Sequence, residues 1–263
     1  MAAPLPASRF QSALRDEGVH VVEVGNWRTH NRNSKGPWGP VHGVMIHHTV
    51  TDADRHDTVG ICRKGHSTLP GPLCHGVITK DGRVHLVGYG RANHAGLGDD
   101  DVLRAVIAEK ALPPDNEANT DGNRHFYGFE CENLGDGKDP WPPVQVEAIV
   151  RASAAICRAH GWGEGGGTSV IGHSEWQPGK VDPRGPGITM PDIRKRVAER
   201  LRHPASWSPG EAQRYTVRAG DTLWSIAASR LGDGARWAEI ARLNGLRDAD
   251  AISVDQTLKL PKK

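Results

Sequence analysis

The sequence predicts an α/β domain with a central mixed β-sheet flanked by helices, followed by a much smaller strand–helix–helix–strand domain. Two observations predict this arrangement. Short apolar strand patterns alternate with amphipathic helix patterns up to about residue 200, as in domains whose helices cover one sheet. A polar segment with two prolines at 204–213 then reads as a linker. We therefore predict domains at 1–203, with a core at 40–202, and at 214–263.

The elements of the large domain follow from local periodicity. Alternating or continuous apolar residues indicate strands, and an Asp-Gly turn at residues 81–82 closes two of them into a hairpin. The predicted strands are 19–24, 41–47, 76–79, 83–87, 126–132 and 170–171. Apolar residues at helical spacing predict helices over 99–112, 146–161 and 193–201.

The small domain has a different pattern. A strand at 214–218 leads to a helix that opens at Asp221-Thr222, and a second helix carries residues 237–243. A final strand is predicted at 256–261. About 50 residues is near the lower limit for independent folding.

Composition excludes several classes of protein. The formal net charge of +2 gives no basic surface for nucleic acid or membrane, so we expect neither as a partner, and we expect a monomer. Residues 1–6 lack the pattern of a signal peptide, and no stretch of 18 apolar residues occurs. We therefore expect synthesis in the cytoplasm with reduced thiols, and the four cysteines form no CxxC pair.

A candidate metal site is assembled from distant segments. An apolar run delivers His173 to a strand end, and a Pro/Gly-rich loop returns Asp182 nine residues later beside Lys180. The predicted strand at 41–47 ends on His47. Two imidazoles and one carboxylate are the donors of an open zinc site, which leaves a coordination position for water. The pattern suggests a zinc hydrolase.

The tail carries the most specific motif. Residues 215–227, 240–246 and 258–261 resemble a LysM module in order and spacing. The resemblance implies binding to N-acetylglucosamine-containing glycans, such as peptidoglycan and chitin. The groove would lie between the first strand–helix loop, Gly220-Asp221-Thr222, and the second helix–strand loop. The alternative is a small structural domain.

The large domain resembles the zinc N-acetylmuramoyl-L-alanine amidases of the type shared by phage lysozyme-amidases and peptidoglycan recognition proteins. The matching segments appear in the family's order at 46–49, 74–82, 91–96, 128–133 and 172–183. The resemblance implies a mixed sheet with zinc in a surface groove. It also implies cleavage of the amide between N-acetylmuramic acid and L-alanine.

Carried over residue by residue, the resemblance assigns the zinc ligands to His47, His173 and Asp182. His48 is the alternative to His47, because strand alternation turns one of the two toward the groove. The same resemblance makes Lys180 the cation that stabilises the developing oxyanion. A solvated surface lysine is the alternative.

The resemblance also assigns the general base. Glu130 matches the glutamate on the corresponding strand of intracellular amidases, and Glu132, expected on the same face, is the alternative. His94 matches a groove histidine that contacts substrate or supports the fold. Cys74 stands where many relatives have a catalytic tyrosine, which leaves that role vacant or passes it to Glu130. A Cys74–His75 nucleophile is a further alternative.

Three functions remain in view. The first is an amidase anchored to the wall by LysM, resembling a phage endolysin that is released late in infection. The second is a non-catalytic peptidoglycan recognition protein, although such relatives typically lack a zinc ligand. The third is a cytoplasmic recycling amidase, which would have no use for a polymer-binding tail. The sequence favours the first.

Overall fold

The computed structural model describes residues 2–163, 169–208, 213–246, 248 and 251–261. The chain divides into two compact units, Met1–Ser206 and Trp207–Lys263. Residues 209–212 of the predicted linker lie outside the described residues.

Strands and helices alternate through the first unit. The strands are β1 (Val21–Glu23), β2 (Gly43–His48), β3 (Gly65–His66), β4 (Leu69–Pro70), β5 (Gly76–Ile78), β6 (Val84–Leu86), β7 (Leu97–Gly98), β8 (Thr120–Asp121), β9 (Phe126–Cys131), β10 (Val170–Gly172), β11 (Gln213–Thr216) and β12 (Thr257–Leu260). The helices are α1 (Ala7–Asp16), α2 (Thr58–Lys64), α3 (Asp100–Ile107), α4 (Pro143–His160), α5 (Met190–Leu201), α6 (Leu223–Leu231) and α7 (Trp237–Leu243).

The central sheet has the strand order β1-β6-β5-β9-β2-β10. The β5–β6 hairpin is antiparallel, and the other neighbouring pairs are parallel. The predicted mixed sheet flanked by helices is therefore confirmed. The carboxyl ends of β9, β2 and β10 meet at one edge, which is where ligand sites of open α/β sheets form.

Strand alternation separates two apolar layers. Val44 and Ile46 of β2 face the main core with α1, α4 and α5. Met45, between them, faces a second cluster with α3 and the buried ring of Trp176. Because side chains alternate along a strand, His47 projects on the same face as Met45. The candidate site thus lies on the sheet face that α3 covers.

Two helices were not predicted from the sequence. Helix α1 buries Phe10, Ala13 and Leu14, whose i, i+3, i+4 spacing was a readable signal. Helix α2 begins after Asp57, whose side chain accepts from the Gly60 amide. The helix predicted at 99–112 is shorter than expected, because it ends at Ile107 and the chain turns at once.

The second unit is built as predicted from two strands and two helices. Strands β11 and β12 pair antiparallel. Their inner side chains join α6 and α7 in a small core of their own. No described helix of either unit is long and apolar enough to cross a membrane.

Candidate metal centre and groove

Sheet register brings the candidate residues together. His47 lies opposite Glu130 across the β2–β9 pair. Gly172 lies opposite Ile46 across β10–β2, so His173 follows at the level of His47. Asp182 returns to this edge because the Ser174 amide donates to its carbonyl oxygen at 2.8 Å.

Three donor atoms converge at this point. His47 Nδ1 lies 3.0 Å from His173 Nδ1 and 3.1 Å from Asp182 Oδ2. The third side of the triangle, from His173 Nδ1 to Asp182 Oδ2, is 3.2 Å. All three residues are buried, and together they could hold a metal ion. Donors bound tetrahedrally to zinc at about 2.0–2.1 Å lie about 3.3 Å apart, so the triangle fits such an ion.

Outer hydrogen bonds orient the two imidazoles. His94 Nε2 lies 3.2 Å from the Phe126 carbonyl oxygen, which accepts only, so His94 Nδ1 is an acceptor. His47 Nε2 therefore donates to His94 Nδ1 over 3.1 Å. His173 Nε2 likewise donates to Gln177 Oε1 over 3.1 Å. Both Nδ1 lone pairs then point at the Asp182 carboxylate, an arrangement that a cation stabilises.

The charge states of this cluster suit a metal. Burial lowers the pKa of His47 to about 4, so its ring is neutral at pH 7. The pKa of Asp182 lies below its usual range despite burial, so the carboxylate is ionised. Neutral imidazole and ionised carboxylate are the ligand forms that bind divalent ions.

The turn that carries His173 is braced from behind. Glu175 Oε2 accepts from the Gly172 amide at 2.9 Å. The same carboxylate binds Arg194 of α5 in a two-point contact at 2.8 and 2.9 Å. Such bidentate pairs fix geometry as well as charge. The position of His173 therefore depends on α5 as well as on β10.

A groove of about 310 Å³ opens over the donor atoms. It is lined by His47, His48, Val50, Leu69, Leu73, Asn93, His94, Glu130, His173, Gly179, Lys180, Val181 and Asp182. Glu130 Oε2 has no hydrogen-bond partner among the described residues. Burial, with Cys62 and Asp182 nearby, raises the pKa of Glu130 well above its usual range. Lys180 is exposed at the rim.

The two glutamates of β9 separate in the structure. Glu130 lines the groove, whereas Glu132 lies beyond the strand end and its Oε2 accepts from the Lys80 amide at 3.1 Å. Glu132 is buried and does not line the groove, so of these two glutamates Glu130 is the one that lies with the donor cluster. His48 lines the groove with its ring packed over Gly135.

Cys74 and His75 have no arrangement for nucleophilic catalysis. His75 Nδ1 accepts from the Gly128 amide at 2.9 Å, and its Nε2 donates to the Gly90 carbonyl at 2.8 Å. Neither ring nitrogen is left to activate a thiol. Cys74 is fully buried beside Cys62, whose thiol pKa is raised by hydrogen bonding to Cys74 and by burial.

The loop predicted to bind glycan in the second unit also stabilises that unit. Asp221 Oδ2 accepts from the Tyr215 hydroxyl and from the Arg218 amide, each at 2.7 Å. Thr222 caps α6 by accepting from the Ser225 amide at 3.0 Å. Gly220 has φ 86°, a conformation that favours glycine. A glycan at this loop would therefore meet backbone groups more than these side chains.

Several supporting residues were missed from the sequence. Asn123 Oδ1 accepts from the amides of His94 and Ala95, each at 2.8 Å. Gly128 lies so near the His94 ring that a Cβ there would be 2.5 Å from Nδ1. Gln177 appears in a turn with no periodic signal. Such partners act through space, so local pattern does not reveal them.

The protein is thus of the open α/β-sheet class, with a groove at the strand ends in which a His-His-Asp cluster could hold a metal ion. The chain belongs to the N-acetylmuramoyl-L-alanine amidase family, whose sequence model matches residues 37–185. The LysM domain model matches residues 215–261. Both resemblances drawn from the motifs are confirmed, and the metal itself stays a prediction.

Individual relatives are more distant. An esterase of Mycobacterium tuberculosis is 42% identical over 72 residues, which cover 27% of this chain and 14% of the esterase. The N-acetylmuramoyl-L-alanine amidase XlyB of Bacillus subtilis is 25% identical over 178 residues, covering 64% of this chain and 53% of XlyB. The chain thus spans about half, or less, of the length of these curated relatives.

Similarity to solved structures is also low. The N-acetylmuramoyl-L-alanine amidase LysC from Clostridium intestinale URNW aligns with a TM-score of 0.44 at 17% identity. The alignment covers 67% of this chain and 96% of LysC.

Proposed function

We propose that this protein is a zinc-dependent amidase that cleaves the bond between N-acetylmuramic acid and the L-alanine of the peptidoglycan stem peptide. The observation that carries the proposal is the triangle of His47, His173 and Asp182 donor atoms with Glu130 in the same groove. Membership of the amidase family supports the substrate class.

His47, His173 and Asp182 would hold the ion. Their donor atoms are 3.0–3.2 Å apart, close to the edge of a zinc tetrahedron. When bound, zinc supplies a Lewis acid that polarises the amide carbonyl and lowers the pKa of water. Two neutral imidazoles and one carboxylate leave the ion a net positive charge for this purpose.

Glu130 would act as general base and then as general acid. Its raised pKa suits both roles, because a carboxylate whose pKa lies above its usual range is a stronger base and holds the proton until it is returned. Its Oε2, which has no partner in the described part of the chain, is available to accept the proton of the attacking water. The proton is then returned to the nitrogen of L-alanine, which leaves as an amine.

Lys180 would stabilise the oxyanion that develops on the carbonyl oxygen. It reaches the groove from the loop that carries Asp182, two residues away. The attraction between a cation at this position and the carbonyl oxygen strengthens as negative charge develops on that oxygen in the transition state. His94 remains a candidate substrate contact, although both of its ring nitrogens already have protein partners.

The LysM unit would hold the enzyme on its polymer. One small module binds weakly, but tethering raises the concentration of wall near the groove. The glycan would be bound by the loop Gly220-Asp221-Thr222. An amidase with such an anchor fits a phage endolysin, which would act on the wall after release from the cell in which it is made. It would act as a monomer, without nucleic acid or membrane partners.

The decisive experiment is digestion of purified peptidoglycan with and without a zinc chelator. Mass spectrometry should detect peptides with free N-terminal L-alanine and intact glycan strands. Their release should stop on chelation and return with added zinc. The Glu130→Gln protein is the matched control, since it should bind zinc and wall but release no peptide. If the protein bound the wall but released no peptides with free amines, it would be a recognition protein, and the amidase function would be contradicted.

The contribution of the tail is tested separately. A protein ending at residue 203 should lose far more activity on intact walls than on soluble muropeptides. Equal losses on both substrates would mean that the tail stabilises the protein and does not target it. Thermal unfolding of the shortened protein provides the control.

A further inference from the structure

Val50 has a backbone conformation that its side chain disfavours. Its φ is 50°, in the left-handed region. A β-branched residue is rarely found there, because its side chain is crowded by its own backbone. Glycine or asparagine would adopt the same conformation with less strain.

Hydrogen bonds on both sides hold Val50 in place. The Thr49 amide donates to the Cys131 carbonyl at 3.1 Å, and the Thr51 amide donates to the Asn133 carbonyl at 3.3 Å. The Thr51 hydroxyl also donates to Thr49 Oγ1 at 2.6 Å. Val50 cannot relax without breaking this pairing to the last residue of β9 and to the chain just after it. Strain that persists in this way is concentrated at functional sites.

The side chain of Val50 gains nothing from burial. It is 68% exposed, whereas an apolar residue retained for stability would be packed in a core. It lines the groove over the donor atoms, together with Val181 and Leu69, which are 47% and 41% exposed. Three exposed aliphatic side chains around one polar cluster form an apolar rim.

We propose that Val50, with Val181 of the same groove, contacts the methyl group of the L-alanine at the cleaved bond. This assignment rests on the proposed function. The scissile amide has to lie between the donor atoms and Glu130, and the alanine methyl is the apolar group one carbon from the amide nitrogen. Val50 and Val181 both line the groove that contains the donor atoms and Glu130. Strain at Val50 is thus retained for substrate recognition at the expense of stability.

The test combines stability with substrate discrimination. Val50→Gly and Val50→Asn should both unfold at a higher temperature, by roughly 2–4 °C, because the strain is removed. On a soluble muramyl peptide, kcat/KM should fall about tenfold, mainly through KM, since the apolar contact is lost in ground state and transition state alike. On the same peptide with glycine in place of L-alanine, variants and wild type should agree within twofold.

Two controls separate contact from strain. Asp255 also has a left-handed backbone, with φ 68°, but lies in the second unit, so Asp255→Gly should leave kcat/KM unchanged on both peptides. Val144 is 53% exposed and does not line the groove, so Val144→Ser should also be silent. Val50→Ala should lose activity without the gain in stability, because alanine keeps a Cβ.

The outcomes are distinct. Val50→Gly with a higher unfolding temperature and unchanged kcat/KM would overturn the contact. Equal losses on the alanine and glycine peptides would overturn its assignment to the alanine methyl. A zinc-loaded wild-type protein that cleaves neither peptide nor wall would overturn the proposed function, and this proposal with it. Active wild type with silent Val50 variants would overturn this proposal alone.

Discussion

Glu130 and His47 lie directly opposite each other on neighbouring parallel strands, with both side chains on one face of the sheet. Strand register therefore sets the distance between the candidate base and the donor cluster. Since β2 and β9 are inner strands of the sheet, neither residue can shift without disturbing a fully buried backbone. Such rigid placement is what a catalytic pair needs.

Loss of His173 should remove metal and activity together. His173→Ala leaves two of the three donors, which is too few for tight zinc binding. Zinc content after dialysis, measured by atomic absorption, should fall to background, as should peptide release. His20→Ala, at an exposed position, is the control and should keep full zinc content. Full activity in a metal-free His173→Ala protein would contradict the mechanism.

Glu130→Gln should retain zinc and lose turnover by about 10²–10⁴-fold, because the amide cannot accept a proton. In the wild type, kcat/KM should rise with pH through the raised pKa of Glu130, since the ionised form is the base. Glu132→Gln is the matched variant. It should weaken the bond to the Lys80 amide and lower thermal stability with kcat near wild type. If Glu132→Gln lost turnover and Glu130→Gln kept it, Glu132 would be the general base and Glu130 the structural carboxylate.

His94 should matter for zinc affinity. His94→Ala removes the acceptor that orients His47, and loss of such a partner weakens metal binding about 10–100-fold. Chelator competition measures this affinity directly. Gly128→Ala tests the same geometry independently, because its Cβ would displace the His94 ring. Unchanged affinity in both folded variants would mean that His94 does not position His47.

Stability should fall in acid. Burial lowers the pKa values of His42, His75 and His160 to about 4. The unfolded chain binds protons to these rings near pH 6.5, before the folded state does. The contribution of these histidines to the unfolding free energy should therefore be fully present above about pH 6.5. It should decline as the pH falls toward 4, by up to about 3 kcal/mol for His75.

Urea titrations of the zinc-free protein at several pH values measure this loss. His160→Gln should make the decline shallower, because one proton-binding ring is removed. A flat profile between pH 6.5 and 4 would contradict the assignment.

The buried carboxylate of Glu17 should be important for stability. It accepts from Arg200 at 2.8 Å and Arg158 at 3.0 Å, and the side chains of Glu17 and Arg200 are each 1% exposed. Glu17→Gln removes the negative charge that balances the guanidinium groups of Arg200 and Arg158. It should therefore lower the unfolding free energy by about 3–5 kcal/mol. Glu199→Gln, in an exposed pair with Arg202, should change it by less than about 1 kcal/mol. Similar effects of both would contradict the buried network.

The order of motifs along the chain was enough to name His47, His173 and Asp182, the residues that the structure brings together. Local periodicity also predicted the sheet and the two strands and two helices of the second unit. These features are readable because strand faces and helix faces repeat with fixed periods. Their roles as zinc ligands remain predictions for the experiments above.

Other features depend on contacts between distant segments. Glu130 lines the groove whereas Glu132 accepts from the Lys80 amide, and the orientation of His47 follows from His94 and Phe126. The strain at Val50 arises because hydrogen bonds to Cys131 at the end of β9 and to Asn133 just beyond it hold both of its neighbours. Register and side-chain partners are set by three-dimensional packing, whose energies no local pattern encodes. Sequence motifs indicated the chemistry of this protein, and three-dimensional packing determined which atoms face one another.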